Sequence, residues 1–157
     1  MGYALQSMLK IRTMREDKSQ TALAQARSAK VQAEKVLEQK TQAVIEYEVS
    51  KEERRDRVFA SVMGKSVTRD DLDNARLAVA QIDEEGLLLV EAEHRAKELV
   101  EKREAEVEQA RKVYVCAVKE MSKIVEHRRI WEEEARKQEE ITADREMEDF
   151  VSRKAEI

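Results

Sequence analysis

The residues nearest to a known chemical motif are Gly64-Lys65-Ser66, which resemble the end of a phosphate-binding loop. That loop needs another glycine five residues earlier, where this chain has Phe59. It also needs a strand in front, whereas the residues before Gly64 have a helical pattern. A nucleotide site is therefore not expected at this segment.

The other side chains that could do chemistry form no catalytic or metal-binding group. His94 and His127 are too far apart to meet on one helix, and Cys116, the only cysteine, has no apparent histidine partner. The many carboxylates follow the spacing of solvated i,i+4 pairs, and two paired helices offer no cavity that would perturb their pKa values. We therefore expect no enzyme activity and no cofactor.

The composition is typical of long helices. Of 157 residues, 41% are charged, 4% are aromatic and none is proline. No apolar run approaches the roughly 20 residues that span a membrane. The first residues also lack a secretory signal pattern, so we expect a soluble intracellular protein without membrane insertion. The net charge of −4 disfavours nucleic acid as a partner.

One short segment divides the chain into two helices. Gly64 suits the left-handed position after a helix end, and Thr68 can cap the next helix while Asp71 reaches back to it. We predict helices over about 3–63 and 69–154, joined by a corner at 64–68, in a single domain over 1–157. The predicted fold class is all-α, a long antiparallel two-helix coiled-coil hairpin whose second helix overhangs at its C-terminus.

Apolar residues spaced by three and four predict a seam along each helix. In the first helix the predicted seam is Ala22, Ala26, Ala29, Ala33, Val36, Lys40, Ala43 and Tyr47. In the second it is Leu72, Ala75, Val79, Ile82, Gly86, Leu89, Glu93, Ala96, Val100, Arg103, Val107, Ala110, Tyr114, Ala117, Met121 and Ile124.

Folding the chain back at the corner places two residues opposite each other when their numbers add up to roughly 132, because the antiparallel turn fixes the register of the helices. Tyr47 then lies opposite Gly86, where the missing side chain leaves room for a ring. A glycine tolerated on the surface is the alternative. The same register leaves the segment from Trp131 onward without an intramolecular partner. We call residues 131–157 the overhang.

Some apolar side chains exceed what a narrow seam can bury, and exposed apolar patches often mark partner sites. A candidate secondary patch consists of Leu87, Leu88, Val90, Val113, Val115 and Val118. A broadened seam would explain the same residues.

The overhang has two features of a docking helix. Trp131 and Phe150 could act as aromatic anchors, together with Met147. Residues 132–157 also carry ten acidic and five basic side chains. The alternatives are a frayed or self-associating end, or a solvated acidic tail.

Both ends of the chain resemble the FliJ/YscO family. The motif Met147-x-x-Phe150-x-x-Arg153, after an acidic helix, resembles the C-terminal signature of that family. The opening Leu5-x-x-Met8-Leu9-x-x-Arg12 is similar to its N-terminal pattern, and Trp131 before an acidic run resembles the YscO branch. The resemblance covers both ends and the hairpin plan.

This resemblance implies a non-enzymatic cytoplasmic stalk or escort protein of type III secretion, peripheral to the inner-membrane apparatus. The stop and start signals at the corner and the matched seams predict that the protein alone is a monomer. It implies contact with the hexameric export ATPase through the paired termini, and with the export gate protein and export chaperones. The virulence branch is favoured over the flagellar one. The implied partner-binding residues are Leu5, Met8, Leu9, Arg12, Trp131, Met147, Phe150 and Arg153. The alternative is a generic structural or scaffold coiled coil, either monomeric or oligomeric, which the seam alone supports equally well.

Overall fold

Two α-helices make up nearly all of the chain in the computed structural model, which describes residues 2–155. Helix α1 is Gln6–Val62 and helix α2 is Arg69–Ala155. No strand occurs within the described residues. The helices pack against each other in antiparallel order, so the predicted all-α hairpin is confirmed. Residues 1, 156 and 157 of the predicted domain lie outside the described range.

The chain divides into two compact units, each containing a stretch of both helices. The corner unit is Ala24–Gln109, and the terminal unit combines the residues up to Leu23 with those from Ala110 onward. In the corner unit, Thr41 donates a hydrogen bond of 2.9 Å to Glu93, and these two residue numbers total 134. In the terminal unit, Thr13 lies 3.7 Å from the sulfur of Met121, again with a total of 134. Both contacts agree with the predicted register of roughly 132.

The corner has the predicted stop and start signals. Gly64 has a φ of 72°, the left-handed conformation that follows a helix end. The Asp71 carboxylate accepts hydrogen bonds from the backbone N–H of Thr68 at 2.9 Å and from its hydroxyl at 2.7 Å. In return, the Asp71 N–H donates to the Thr68 hydroxyl at 3.2 Å. This reciprocal capping box fixes the first turn of α2.

The predicted seam of α2 is confirmed almost throughout. Ile82, Gly86 and Ala96 are buried, and the other seam positions from Ala75 to Ile124 are half-buried. Leu72 is the exception, with 44% of its surface exposed. It lies in the first turn of α2, next to the corner, where the two helices have only begun to pair.

The predicted seam of α1 was wrong at several positions. Ala22, Val36 and Lys40 are exposed, whereas the neighbouring Leu23 is buried and Leu37 is half-buried. The larger side chain of each adjacent pair faces α2, because it fills more of the space between the helices. The predicted positions Ala26, Ala29, Ala33, Ala43 and Tyr47 are buried or half-buried, so the two stripes partly coincide.

The predicted contact between Tyr47 and Gly86 is confirmed. Tyr47 is only 5% exposed, and its hydroxyl donates a hydrogen bond to the backbone carbonyl of Ile82. A Cβ added at Gly86 would lie 2.6 Å from Cε1 of that ring. The ring therefore occupies the volume that any other residue at position 86 would need.

Candidate partner-binding surfaces

The first turns of α1 present a mixed surface in the terminal unit. Leu9 is buried and Leu5 is half-buried, so both contribute mainly to packing between the helices. Met8 is 41% exposed, and Ile11 and Met14 are 50% and 64% exposed. Their spacing by three places them on one outer face. Ile11 and Met14 are exposed apolar residues beyond those predicted to bind a partner.

Arg12 is already engaged within the chain. Its guanidinium lies 3.0 Å from the carboxylate of Glu120. Lys123, at 2.9 Å, and then Arg12 hold the pKa of Glu120 below its ordinary range. Contact between Arg12 and a partner would therefore compete with an existing ion pair.

Trp131 is half-buried rather than free, which differs from the expected unpartnered anchor. Its ring packs against Tyr3 with centroids 5.4 Å apart. The Tyr3 hydroxyl lies at a hydrogen-bonding distance of 2.8 Å from Nδ1 of His127. Helix α1 begins at Gln6 and not near Tyr3, so Tyr3 precedes the helix and its ring covers α2 at these positions.

The overhang continues as helix beyond Trp131, and residues 136–154 are exposed at every position. Met147, Phe150 and Val151 are 68%, 67% and 63% exposed. Their spacing by three and four places them on one face, while Ile141 lies on another. Arg153 is also exposed. This part of α2 therefore offers an apolar stripe that nothing in the described chain covers.

Ion pairs along one helix support the start of the overhang. Arg129 lies 2.7 Å from Glu126 and 2.5 Å from Glu133, while Arg128 lies 2.7 Å from Glu132. The pKa of Glu126 is held below its ordinary range by its hydrogen bond with Arg129. Each of these exposed pairs is weak, but together they favour helix where tertiary packing ends.

The secondary patch is divided between the two units. In the corner unit, Leu87, Leu88 and Val90 are 72%, 60% and 48% exposed. In the terminal unit, Val113 and Val115 are 50% and 41% exposed, and Val118 is half-buried. A broadened seam does not account for Leu87 and Leu88, since most of their surface is open to solvent.

The side chains that could do chemistry take part in helix-surface contacts. His94 lies 3.4 Å from Glu98 one turn away, and His127 contacts Tyr3. Over residues 2–155, no three acidic, histidine or cysteine side chains cluster as metal ligands would. The same part of the chain contains no helix that is long and apolar enough to cross a membrane.

A comparison with protein families finds a match to the family described as type III secretion protein YscO, over residues 5–153. No curated protein and no solved structure matches the chain. The matched range includes all of α1, the corner, and α2 except its last two residues, and therefore also the exposed stripe of the overhang. Because the match covers nearly the whole sequence, the chain belongs to the YscO family of type III secretion proteins.

Proposed function

We propose that this type III secretion component is a non-enzymatic stalk that docks the end of its terminal unit in the central opening of the hexameric export ATPase. The stripe of Met147, Phe150 and Val151 supports this proposal most directly, because about two thirds of each side chain is exposed. Exposed aromatic and methionine side chains on a helix are typical anchors for a partner groove. Family membership supports a partner within the secretion machinery.

The exposed face of α1 belongs to the same docking end. Met8 and Ile11 lie in the terminal unit with the overhang, and both are at least 41% exposed. Arg153 is the exposed basic residue of the proposed interface, whereas Arg12 would have to leave Glu120 to contribute. Trp131 would act chiefly by holding the base of the overhang against Tyr3.

The secondary patch would serve other components of the machinery. Its residues would contact the export gate protein or export chaperones, and they are Leu87, Leu88, Val90, Val113, Val115 and Val118. The protein would work in the cytoplasm, at the periphery of the inner-membrane apparatus of a virulence system. It would have no ATPase activity of its own, in keeping with the lack of a phosphate-binding loop around Gly64.

The docking proposal is tested with Met147→Ala combined with Phe150→Ala. Truncating buried anchors typically costs 2 kcal/mol or more, so the dissociation constant for the cognate ATPase should rise at least thirtyfold. Isothermal titration calorimetry gives the constant, and circular dichroism checks that helicity is unchanged. Ile45→Ala combined with Val49→Ala is the matched control, because these side chains are 52% and 78% exposed in the corner unit.

Unchanged binding of the Met147 and Phe150 variant, or of a chain ending at residue 135, would refute the docking proposal. The scaffold alternative would then be preferred. Hydrolysis by the ATPase is measured with and without this protein, and turnover by the protein alone would contradict its assignment as a non-enzyme.

A further inference from the structure

A groove in the terminal unit has an apolar floor. It encloses about 430 Å³ between α1 and α2. The floor includes Ala22 from α1 and Val113, Cys116 and Ala117 from α2. Ala22, Val113 and Cys116 are exposed, so this apolar strip is open to solvent rather than closed by the seam.

One edge of the groove is basic. Arg12, Arg15 and Lys18 line it from α1, and Glu120 is the acidic residue of the lining. The charge of Glu120 is offset by Arg12 and Lys123. Within the described residues, neither Arg15 nor Lys18 has a carboxylate within the 4.0 Å of an ion pair. Two uncompensated cations therefore flank an exposed apolar strip.

We propose that this groove binds an acidic amphipathic α-helix of a partner protein, which packs as a third helix against α1 and α2. Two paired helices present no free strand edge, and side chains of a third helix fit along the furrow between them. The stretch from Arg12 to Ala22 is about 15 Å long, which corresponds to about three helical turns. The bound helix would place apolar residues on the floor and carboxylates beside Arg15 and Lys18.

The overhang of the same molecule cannot be the occupant. Helix α2 is continuous to Ala155, so residues 136–154 extend away from the groove and cannot fold back onto it. The overhang of a second copy is the competing occupant, because it is acidic and carries an apolar stripe. The groove shares Arg12 with the proposed docking end and Val113 with the secondary patch, but Arg15 and Lys18 belong to neither, so variants at these two residues test the groove separately from ATPase docking.

The test uses two designed 18-residue peptides labelled with fluorescein. One has leucine at alternating spacings of three and four with glutamate at the flanking positions, and the other has lysine in place of each glutamate. Fluorescence anisotropy should show at least tenfold tighter binding of the glutamate peptide. At saturation, the same peptide should slow alkylation of the native Cys116 thiol at least tenfold, because the thiol lies in the groove.

Matched variants locate the binding site. Arg15→Glu with Lys18→Glu should weaken binding of the glutamate peptide at least tenfold and strengthen binding of the lysine peptide. Lys35→Glu with Lys102→Glu makes the same change in net charge at exposed positions of the corner unit and should leave both affinities unchanged. Ala22→Trp should fill the floor and abolish protection of the thiol, with helicity retained.

The proposal would be overturned by equal affinity for the two peptides, by absence of binding, or by an affinity that is unchanged in the variant with Arg15→Glu and Lys18→Glu. Protection of Cys116 that increases with the concentration of the protein alone would assign the groove to a second copy instead. Sedimentation velocity would then show the oligomer. Loss of peptide binding with intact ATPase binding would refute the groove alone and leave the docking proposal standing.

Discussion

Replacing Gly86 with alanine should destabilise the hairpin, although alanine is the better helix former. In an unconstrained helix this change would stabilise by about 1 kcal/mol. Here the new Cβ would lie 2.6 Å from Cε1 of Tyr47 and 2.9 Å from both Cζ and the hydroxyl oxygen. The ring is 5% exposed and is tied to the carbonyl of Ile82, so it cannot withdraw without losing packing and a hydrogen bond.

The opposing contributions of Gly86→Ala to the free energy of unfolding can be compared in magnitude. Overpacking a well-filled seam costs about 1–3 kcal/mol, and losing the hydrogen bond to Ile82 costs about 0.5–1.5 kcal/mol. After the gain in helix propensity is subtracted, we expect Gly86→Ala to lower the free energy of unfolding by about 0.5–3.5 kcal/mol. Gly86→Leu should lower it further, because its longer side chain would need the space of the whole ring.

The assay is urea unfolding followed by far-ultraviolet circular dichroism, in a double-mutant cycle with Tyr47→Ala. Without the ring, Gly86→Ala should stabilise by about 1 kcal/mol, so the sign of its effect should reverse. Ala105→Gly, at an exposed helical position, calibrates the propensity term in this protein. The reasoning is refuted if Gly86→Ala is at least as stable as the parent, or if its effect is the same in both backgrounds.

The corner supports the remaining predictions. Gly64→Ala should destabilise by about 1–2 kcal/mol, because a φ of 72° is costly for any residue with a Cβ. The cost comes from the backbone alone, since no neighbouring atom lies within 4 Å of a Cβ added at Gly64. An unchanged urea midpoint would contradict this prediction. Thr68→Ala should cost about 1 kcal/mol through loss of the cap, measured in the same way. The side-chain and then the backbone hydrogen bond from Thr68 lower the pKa of Asp71. Its carboxylate therefore stabilises the fold above the ordinary pKa of about 4, and this contribution is lost as the pH falls through the lower folded-state pKa. The difference in urea midpoint between the parent and Asp71→Asn should be present at pH 7 and should shrink well below pH 4, and a difference independent of pH would argue against the capping role.

Periodicity predicted α2 better than α1 for a physical reason. Along α2, one stripe is apolar, and outside the secondary patch its neighbours are mostly polar or charged, so a single phase fits. Along α1, small and larger apolar residues are adjacent, as in Ala22-Leu23 and Val36-Leu37, and either phase gives an apolar stripe. The choice between the two phases depends on which side chains have the volume to fill the space next to the facing helix, and a periodic pattern contains no information about volume.

The overhang could be located from the sequence because the antiparallel register follows from the corner alone. The exposure of Met147 and Phe150 followed from that register. The partner of Trp131 was missed, because Tyr3 lies before the first helical residue, where spacing no longer predicts direction. The basic groove was missed as well, since its walls come from distant parts of the chain and its floor depends on the phase of α1.

The packing of the Tyr47 ring against Gly86 also limits how the two helices can move relative to each other when a force acts on this protein. Some helical pairs switch when one helix ratchets past the other by a turn or more. Here, a slide of one heptad would drive the ring against Val79 or Glu93, the next seam positions of the same kind, and neither leaves the space that a glycine does. We therefore expect the two helices of the corner unit to resist sliding past each other, so that force applied to this unit is carried by bending or by rotation of both helices together.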